Sequence, residues 1–424
     1  MEPDAHVIHN EVAAYCPDCG PATVPHWVER WGVRLDIAVR YATKPSELIW
    51  RGLKPAVAKL KPGRIAPALA RGLHAARLGA IVTKPDEKLN WRSRVLWEEA
   101  SRRGIVMKEF RLFGIPRELF FATYGGDTVA FDGLPRPRGA RETSLDWMDD
   151  KGIIIEKFLR AGIPMPRGRS CTTVRQAEMV FRSMHGGPDF PVIVKPNLGS
   201  RSRHTYVHIT DTATLRRAFK KAKELSPYVV VEEELEGFVF RVTLVGGEVA
   251  GVMRREPPHV VGDGKSTVQQ LVKKENKDPL RHGPIFHELV LDEGSARELA
   301  KQGFTADSVP PQGTMVTLHE KVSRAYGAST TEIATKDIHP DNMALFKKIG
   351  AVLDDPLVGV DFMIKDMTRP WRTQKCGVIE CNSLPFIDLH HFPLKGEPRN
   401  AAGAVWDMIF PGSGASSQRS ARPR

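Results

Sequence analysis

Gly359-Val360-Asp361-Phe362-Met363-Ile364 and Val378-Ile379-Glu380-Cys381-Asn382 read as two short strands joined by a turn-rich stretch, Asp366 to Lys375, that holds Pro370. Each sets an acid directly after apolar, β-branched residues, where a core strand ordinarily continues without charge. A buried carboxylate is costly unless it is paired or binds a metal. Asp361, Glu380 and Asn382 offer only hard oxygen donors, and Glu380 and Asn382, two apart on a strand, share a face. Such a set suits Mg²⁺ or Mn²⁺ better than zinc. The alternative, on these residues alone, is a strand-edge acid paired with one of the many basic side chains.

The surrounding chain has 424 residues, enough for two to three domains around a sizeable core. Its 41% hydrophobic and 26% charged residues are a globular composition. No apolar run approaches the roughly 18 residues a membrane span needs, and the acidic, histidine-containing start is not a signal peptide. Five cysteines, an odd and sparse set, do not make a disulfide framework, so a reducing cytoplasm is expected. The net charge of +12 points to an anionic partner. Between Glu47 and Asp86 every charged residue is basic, from Arg51 to Lys84, and this arm reads either as a face for a polyanion such as nucleic acid or for a membrane surface, or as a solvated linker.

Residues 1–77 form a basic amino-terminal region of unclear fold. Within it, Cys16-Pro17-Asp18-Cys19, with His6, His9 and His26 nearby, has the residue types and spacing of half a zinc site; no second pair follows at standard spacing. Residues 78–148 read as a small α/β unit: strand Leu78 to Val82, helix Trp91 to Arg103, strand Ile105 to Phe110 and a β-rich piece up to Phe131. Asp150 then caps a helix that starts with Lys151, and Thr173 starts another. The apolar strand Pro191 to Pro196 ends with Lys195, well placed to meet a phosphate. Next comes a short polar and basic loop, Asn197 to His204, either an anion lid or a plain connection.

The strand Tyr228 to Val231 runs into the acidic Glu232-Glu233-Glu234-Leu235-Glu236-Gly237. A hairpin from Phe238 to Arg255 turns at Gly246-Gly247, and a regular register puts Arg241 and Arg254 on one face with Arg255 on the other. Gly262-Asp263-Gly264-Lys265-Ser266-Thr267 mimics a P-loop, but His259 stands where that motif needs glycine, so it reads as a turn capping the next helix. Asn276 to Gly313 is an irregular insertion, residues 149–411 form the main domain, and 412–424 are a basic tail expected to be disordered.

Taken in order, these pieces resemble the ATP-grasp ligases from about Leu78 to Pro411, most of all the ATP-grasp half of cyanophycin synthetase. D-alanine–D-alanine ligase and glutathione synthetase are more distant. The resemblance is carried by Asp150-Lys151 with Gly162-Ile163-Pro164, Val192 to Pro196, Val231-Glu232 with Gly237 and Arg241, Arg255 with Pro257, and Val260-Val261-Gly262-Asp263-Gly264. It continues through Asp307 to Pro311, Asp337-Ile338-His339-Pro340, Gly359-Val360-Asp361, and Ile379-Glu380-Cys381-Asn382 to Pro385, then His391, Pro393 and Gly396 to Asn400.

The resemblance implies an α+β fold, ATP-grasp, with two lobes clamping ATP behind a small α/β domain. It implies ligation of a small-molecule or peptide carboxylate to an amine through an acyl phosphate. Lys151, Lys195 and Ser200 would bind phosphates, and the segment Glu232, Glu233 to Leu235 would face adenine. Asp361, Glu380 and Asn382 would hold Mg²⁺ or Mn²⁺, and Arg255 with Arg241 would stabilise the acyl phosphate. The register reading favours Arg254 instead of Arg255, unless a bulge intervenes. Three departures stand out. No Mur-ligase-like half is seen, so a two-amino-acid polymerising cycle is not expected. Ser202 and His204 occupy lid positions where relatives have glycine, with Arg201, Arg203 and His204 expected to bring charge near the phosphates. Val239 stands where relatives place an acid for the ribose. The last two departures also leave open a nucleotide-binding module that has lost ligation. A homo-oligomer stays open too.

Overall fold

The computed structural model describes residues 14–16, 20–22, 26–28, 30–35, 62–137, 147–148, 150–198, 203–282, 285–319, 322 and 327–414. His6, His9, Cys19, Ser200, Arg201, Ser202, most of the basic arm before Pro62 and the tail from residue 415 lie outside the described residues.

Among the described residues all the strand pairs are antiparallel. A hairpin of β1 (Ala14–Cys16) and β2 (Gly20–Ala22) comes first. A sheet in the order β3-β4-β5-β6 follows, from β3 (Gly79–Val82), β4 (Val106–Leu112), β5 (Ile115–Tyr124) and β6 (Asp127–Asp132). Helix Trp91–Arg102 crosses from β3 to β4, capped by Asn90, whose side chain accepts from Ser93 N. The sequence reading called this unit α/β; its sheet is antiparallel throughout, because each later connection is a tight turn.

A second sheet, in the order β7-β10-β8-β9, is made of β7 (Gly168–Cys171), β8 (Val192–Pro196), β9 (Tyr206–Ile209) and β10 (Val229–Glu233). Helices Val174–Ser183 and Thr212–Ala222 bury Phe181, Leu215 and Phe219 against its Val192, Val194, Val229 and Val231. Their starts follow from capping chemistry: Thr173 and Gln176 form a reciprocal capping box, and Asp211 accepts from Ala213 N and Thr214 N.

Then come β11 (Phe238–Val245) and β12 (Glu248–Glu256), and the pair β13 (His259–Val261) and β14 (Met315–Thr317). With β15 (Ser329–Glu332), β16 (Leu357–Ile364) and β17 (Gly377–Asn382), β11 and β12 make the third sheet, in the order β15-β12-β11-β16-β17, while β13 and β14 form a ribbon of their own. Helix Pro340–Leu353 seals this sheet, placing Phe346, Ile349 and Leu353 against Val360 and Phe362. The insertion is wider than its irregular stretch suggested. It starts at β13 and closes at β14, around a small core of Val260, Val268, Leu271, Leu299 and Val316. The P-loop mimic is a turn, as read: Asp263 accepts from the backbone of Lys265 and Ser266, and helix Val268–Glu275 starts behind a Thr267–Gln270 capping box.

The first and third sheets share one core. Trp406, on helix Ala401–Ile409, is fully buried beside Phe131 and donates from Nε1 to Leu96 O at 2.9 Å. No helix of the described residues is long and apolar enough to cross a membrane.

Candidate active site in the cleft between two sheets

A row of functional side chains crosses the third sheet. Arg241 lies opposite Asp361, and Asp361 opposite Glu380. The arginine question is decided by a bulge in the β11–β12 hairpin. Thr243 pairs with Gly251 but Leu244 with Val249, so Ala250 is an extra residue on β12. One extra residue turns the rest of β12 over. Arg241 therefore faces Met253 in register and shares its face with Arg255, which corrects the expectation that Arg254 does so. Arg254 lies over the Phe238 ring at 4.6 Å and bonds Glu256 at 2.9 Å, on the other side.

Asp361 is almost fully buried and accepts from Arg241 Nε at 2.5 Å and Nη2 at 2.9 Å, with Arg255 Nη1 at 3.4 Å. Burial alone would raise its carboxyl; the two guanidinium groups outweigh that and hold it below the usual range. Glu380 behaves in the opposite way: burial, then the charge of Asp361, raises its carboxyl, against the pull of Lys151, Arg241 and Lys195. Among the described residues no hydrogen bond or ion pair engages Glu380. Asn382 lies two residues along the same face, and its Nδ2 is buried without a hydrogen-bond partner among the described residues. Turning that amide about its last torsion breaks no bond at Nδ2 and puts its oxygen there.

Above this row is a cleft walled by both lobes, with Ile193, Lys195, Pro196 and Leu235 on one side and Met363, Ile379 and Glu380 on the other. Lys151, the first residue of helix Lys151–Arg160, enters at the same end as Lys195. Lys195 Nζ sits 2.5 Å from Glu232 and donates across the cleft to Ile379 O at 3.5 Å. Leu235 is buried, and its N–H meets no acceptor among the described residues. One end of the cleft is thus cationic with an acid below it, and the other is an apolar slot beside a spare backbone donor.

Two site expectations shift. Glu233 borders the cleft, but its carboxylate accepts from Arg167 N and Nε at 2.9 Å each and pairs with Lys375 at 3.3 Å. It acts as a strut between β7, β10 and β17. His204 is turned away from the cleft: its ring is buried and its Nδ1 lies 2.7 Å from Lys221 O. Arg203 and Thr205 line the cleft instead.

Sequence reading passed over two residues that hold the site together. Asn197 accepts from Gly152 N at 2.9 Å and donates to Asp150 at 3.0 Å, so it fixes the helix bearing Lys151 to the end of the strand bearing Lys195. Arg136 bonds Asp355, Leu357 O and Ser383 O, tying the entry of β16 to the exit of β17. Their only signal was a polar residue beside a strand end and an arginine between prolines.

This architecture, with two antiparallel sheets enclosing a lysine-lined cleft over an Asp–Glu–Asn row, is the ATP-grasp fold. It is 33% identical over 265 residues to the cyanophycin synthetase of Nostoc sp., covering 62% of this chain and 29% of that protein. It is 28% identical over 337 residues to the glutathione biosynthesis bifunctional protein of Clostridium perfringens, covering 76% of this chain and 41% of that protein. Among solved structures, the bifunctional glutathione synthetase of Pasteurella multocida superimposes with a TM-score of 0.57 at 24% identity, over 76% of this chain and 43% of that one. The chain thus spans less than half the length of each of these relatives. No protein-family model matches it.

Proposed function

We propose that the chain joins a carboxylate to an amine at the expense of ATP, with Mg²⁺ or Mn²⁺. The observation that carries this reading is Glu380, an acid with no hydrogen-bond or ion-pair partner among the described residues, lying under two lysines in a cleft with an apolar far end. An adenine ring fits between Ile193, Leu235, Met363 and Ile379, with the Leu235 N–H as donor to a ring nitrogen. Lys151 and Lys195 then reach the phosphates as point charges.

The donor set fits a hard cation: Glu380 first, Asn382 through its amide oxygen, and Asp361 sharing a carboxylate already held by arginines. When bound, that cation neutralises phosphate charge. Lys195 and Lys151 draw charge from the γ-phosphoryl group while the substrate carboxylate attacks it, forming an acyl phosphate and ADP. Arg255 and Arg241 face the developing oxyanion as the amine attacks the acyl carbon and inorganic phosphate leaves. Asp361 fixes both arginines by accepting from each. The relatives' names point to amino acids or peptides as both substrates.

ADP release across pools of amino acids and dipeptides, for wild type beside Glu380→Gln and Lys195→Met, tests this. A substrate-dependent rate that falls about 10²–10³-fold in each variant is expected. Equal rates in all three proteins would overturn it. Tight ATP binding with no turnover on any pool would favour a module that has lost ligation.

A further inference from the structure

Val239 stands on the floor of the cleft. It pairs with Met363 on β16 and with Arg255 on β12, and residues directly opposite on antiparallel strands point to one side of their sheet. Met363 lines the apolar slot, and Arg255 Nη1 lies 3.4 Å from Asp361. The half-buried Val239 side chain is therefore on the cleft face, between the slot and the arginines. A branched hydrocarbon at that place offers neither a donor nor an acceptor.

The acids of the neighbouring segment, Glu232 to Glu236, are all engaged. Glu232 lies 2.5 Å from Lys195 Nζ. Glu233 accepts from Arg167 and pairs with Lys375. Glu234 accepts at 2.8 Å from the N–H of His208, a residue held at φ +56°, in the left-handed region. Glu236 pairs with Lys365 at 2.6 Å. Each of these carboxylates serves a protein cation or a strained backbone, so turning one toward a ligand breaks a bond already made. Thr205 also borders the cleft, but it precedes Tyr206, the partner of Val194, and so lies level with Lys195 at the phosphate end.

We propose, resting on the reading of this cleft as a nucleotide site, that it holds its nucleotide by base and phosphates alone and leaves the ribose hydroxyls unread. Its substrates are then adenosine and deoxyadenosine triphosphates alike, and Val239 is the residue that makes it indifferent to the sugar. A nucleotide laid from the slot to the lysines carries its sugar past Val239, where the 2′ and 3′ positions meet methyl groups. Replacing a hydroxyl there by hydrogen strands no protein group. A site built to bond a hydroxyl does the reverse: it rejects the analogue lacking it, because its own buried polar group is left unpaired.

Titration calorimetry of the full chain with ATP, 2′-deoxy-ATP and 3′-deoxy-ATP, each with Mg²⁺, tests this. Wild type should bind all three within about 3-fold of one another. Val239→Asp puts a charged acceptor beside the sugar and should make ATP bind about 10-fold or more tightly than at least one deoxy form. Val239→Asn, which adds no charge next to Arg255, should shift the same ratio the same way by about 3–10-fold. A wild type that prefers ATP to either deoxy form by about 10-fold or more overturns the proposal while leaving the nucleotide site in place, and that comparison needs no variant to fold. Ratios unchanged in both variants overturn it as well, since Val239 would then not face the sugar. A wild type that binds none of the three overturns the nucleotide reading itself, and this proposal with it.

Discussion

Replacing Asp361 by asparagine keeps its shape and removes one charge from the centre of the row. The wild-type carboxylate accepts from Arg241 at 2.5 and 2.9 Å and from Arg255 at 3.4 Å. Arg241 is only 5% exposed, so its guanidinium loses the carboxylate paired with it, with Glu380 the acid still nearby, and keeps one acceptor oxygen where it had two. Breaking a buried pair from one side costs about 3–5 kcal/mol. With a urea slope on the order of 3 kcal/mol per molar for a large unit, the midpoint should fall by roughly 1–2 M. Urea unfolding followed by tryptophan fluorescence reads this, since Trp147 and Trp371 pack against the core behind the row. An Arg241→Met, Asp361→Leu double variant should recover most of the stability and none of the activity.

The pH dependence has a definite sign. The folded carboxyl of Asp361 titrates below its usual 3.8. Its charge therefore stabilises the fold fully above pH 3.8, and that contribution is lost only as pH falls through the lower folded value. The gap between wild type and Asp361→Asn should be flat from pH 7 to 5. Equal stability at neutral pH, or a gap already closing between pH 7 and 5, would refute the reasoning.

Glu380 should behave as the reverse case. Its folded carboxyl titrates above the usual 4.5, so its contribution to stability is present below 4.5 and fades as pH rises through the folded value. Mg²⁺-nucleotide binding needs the carboxylate, so calorimetry should show affinity rising and a proton released as pH climbs from 4.5, with neither in Glu380→Gln. The bulge at Ala250 makes the two neighbouring arginines unequal. Arg255→Ala should cost about 10²–10³-fold in kcat, and Arg254→Ala less than about 10-fold; steady-state kinetics giving the opposite order would restore the regular register. Trp406→Ala should destabilise by about 3–5 kcal/mol in denaturant titration, because it empties the core shared by the first and third sheets and removes the bond from its Nε1 to Leu96 O.

Acids set into apolar strands were legible because nothing but pairing or a ligand explains them; Asp361 on β16 lies opposite Glu380 on the edge strand β17. Lys195 was legible for the same reason, following Val192, Ile193 and Val194 in an otherwise apolar strand. The facing of Arg254 and Arg255 was not, because one extra residue, Ala250, reverses it; the sign of that bulge was the isolated glycine beside it, Gly251, which periodicity alone does not weigh. His204 was misread as a charge toward phosphate. Its orientation depends on Lys221 O and the His26 ring, both remote in sequence. The insertion's true edges were hidden for a related reason: β13 and β14 meet only across more than fifty intervening residues. Asn197 and Glu233 show the general limit, since polar side chains whose work is to hold other side chains carry no pattern of their own.

The most direct test of a ligase that works through an acyl phosphate is an oxygen transfer. A pool of amino acids and dipeptides with ¹⁸O in the carboxylates, incubated with the chain, ATP and Mg²⁺, should yield an amide product, ADP and inorganic phosphate. Mass spectrometry should find one ¹⁸O in that phosphate, since the carboxylate oxygen that attacks phosphorus leaves with it. Phosphate with no label beside a formed amide, or release of AMP and pyrophosphate, would contradict the mechanism assigned to this cleft.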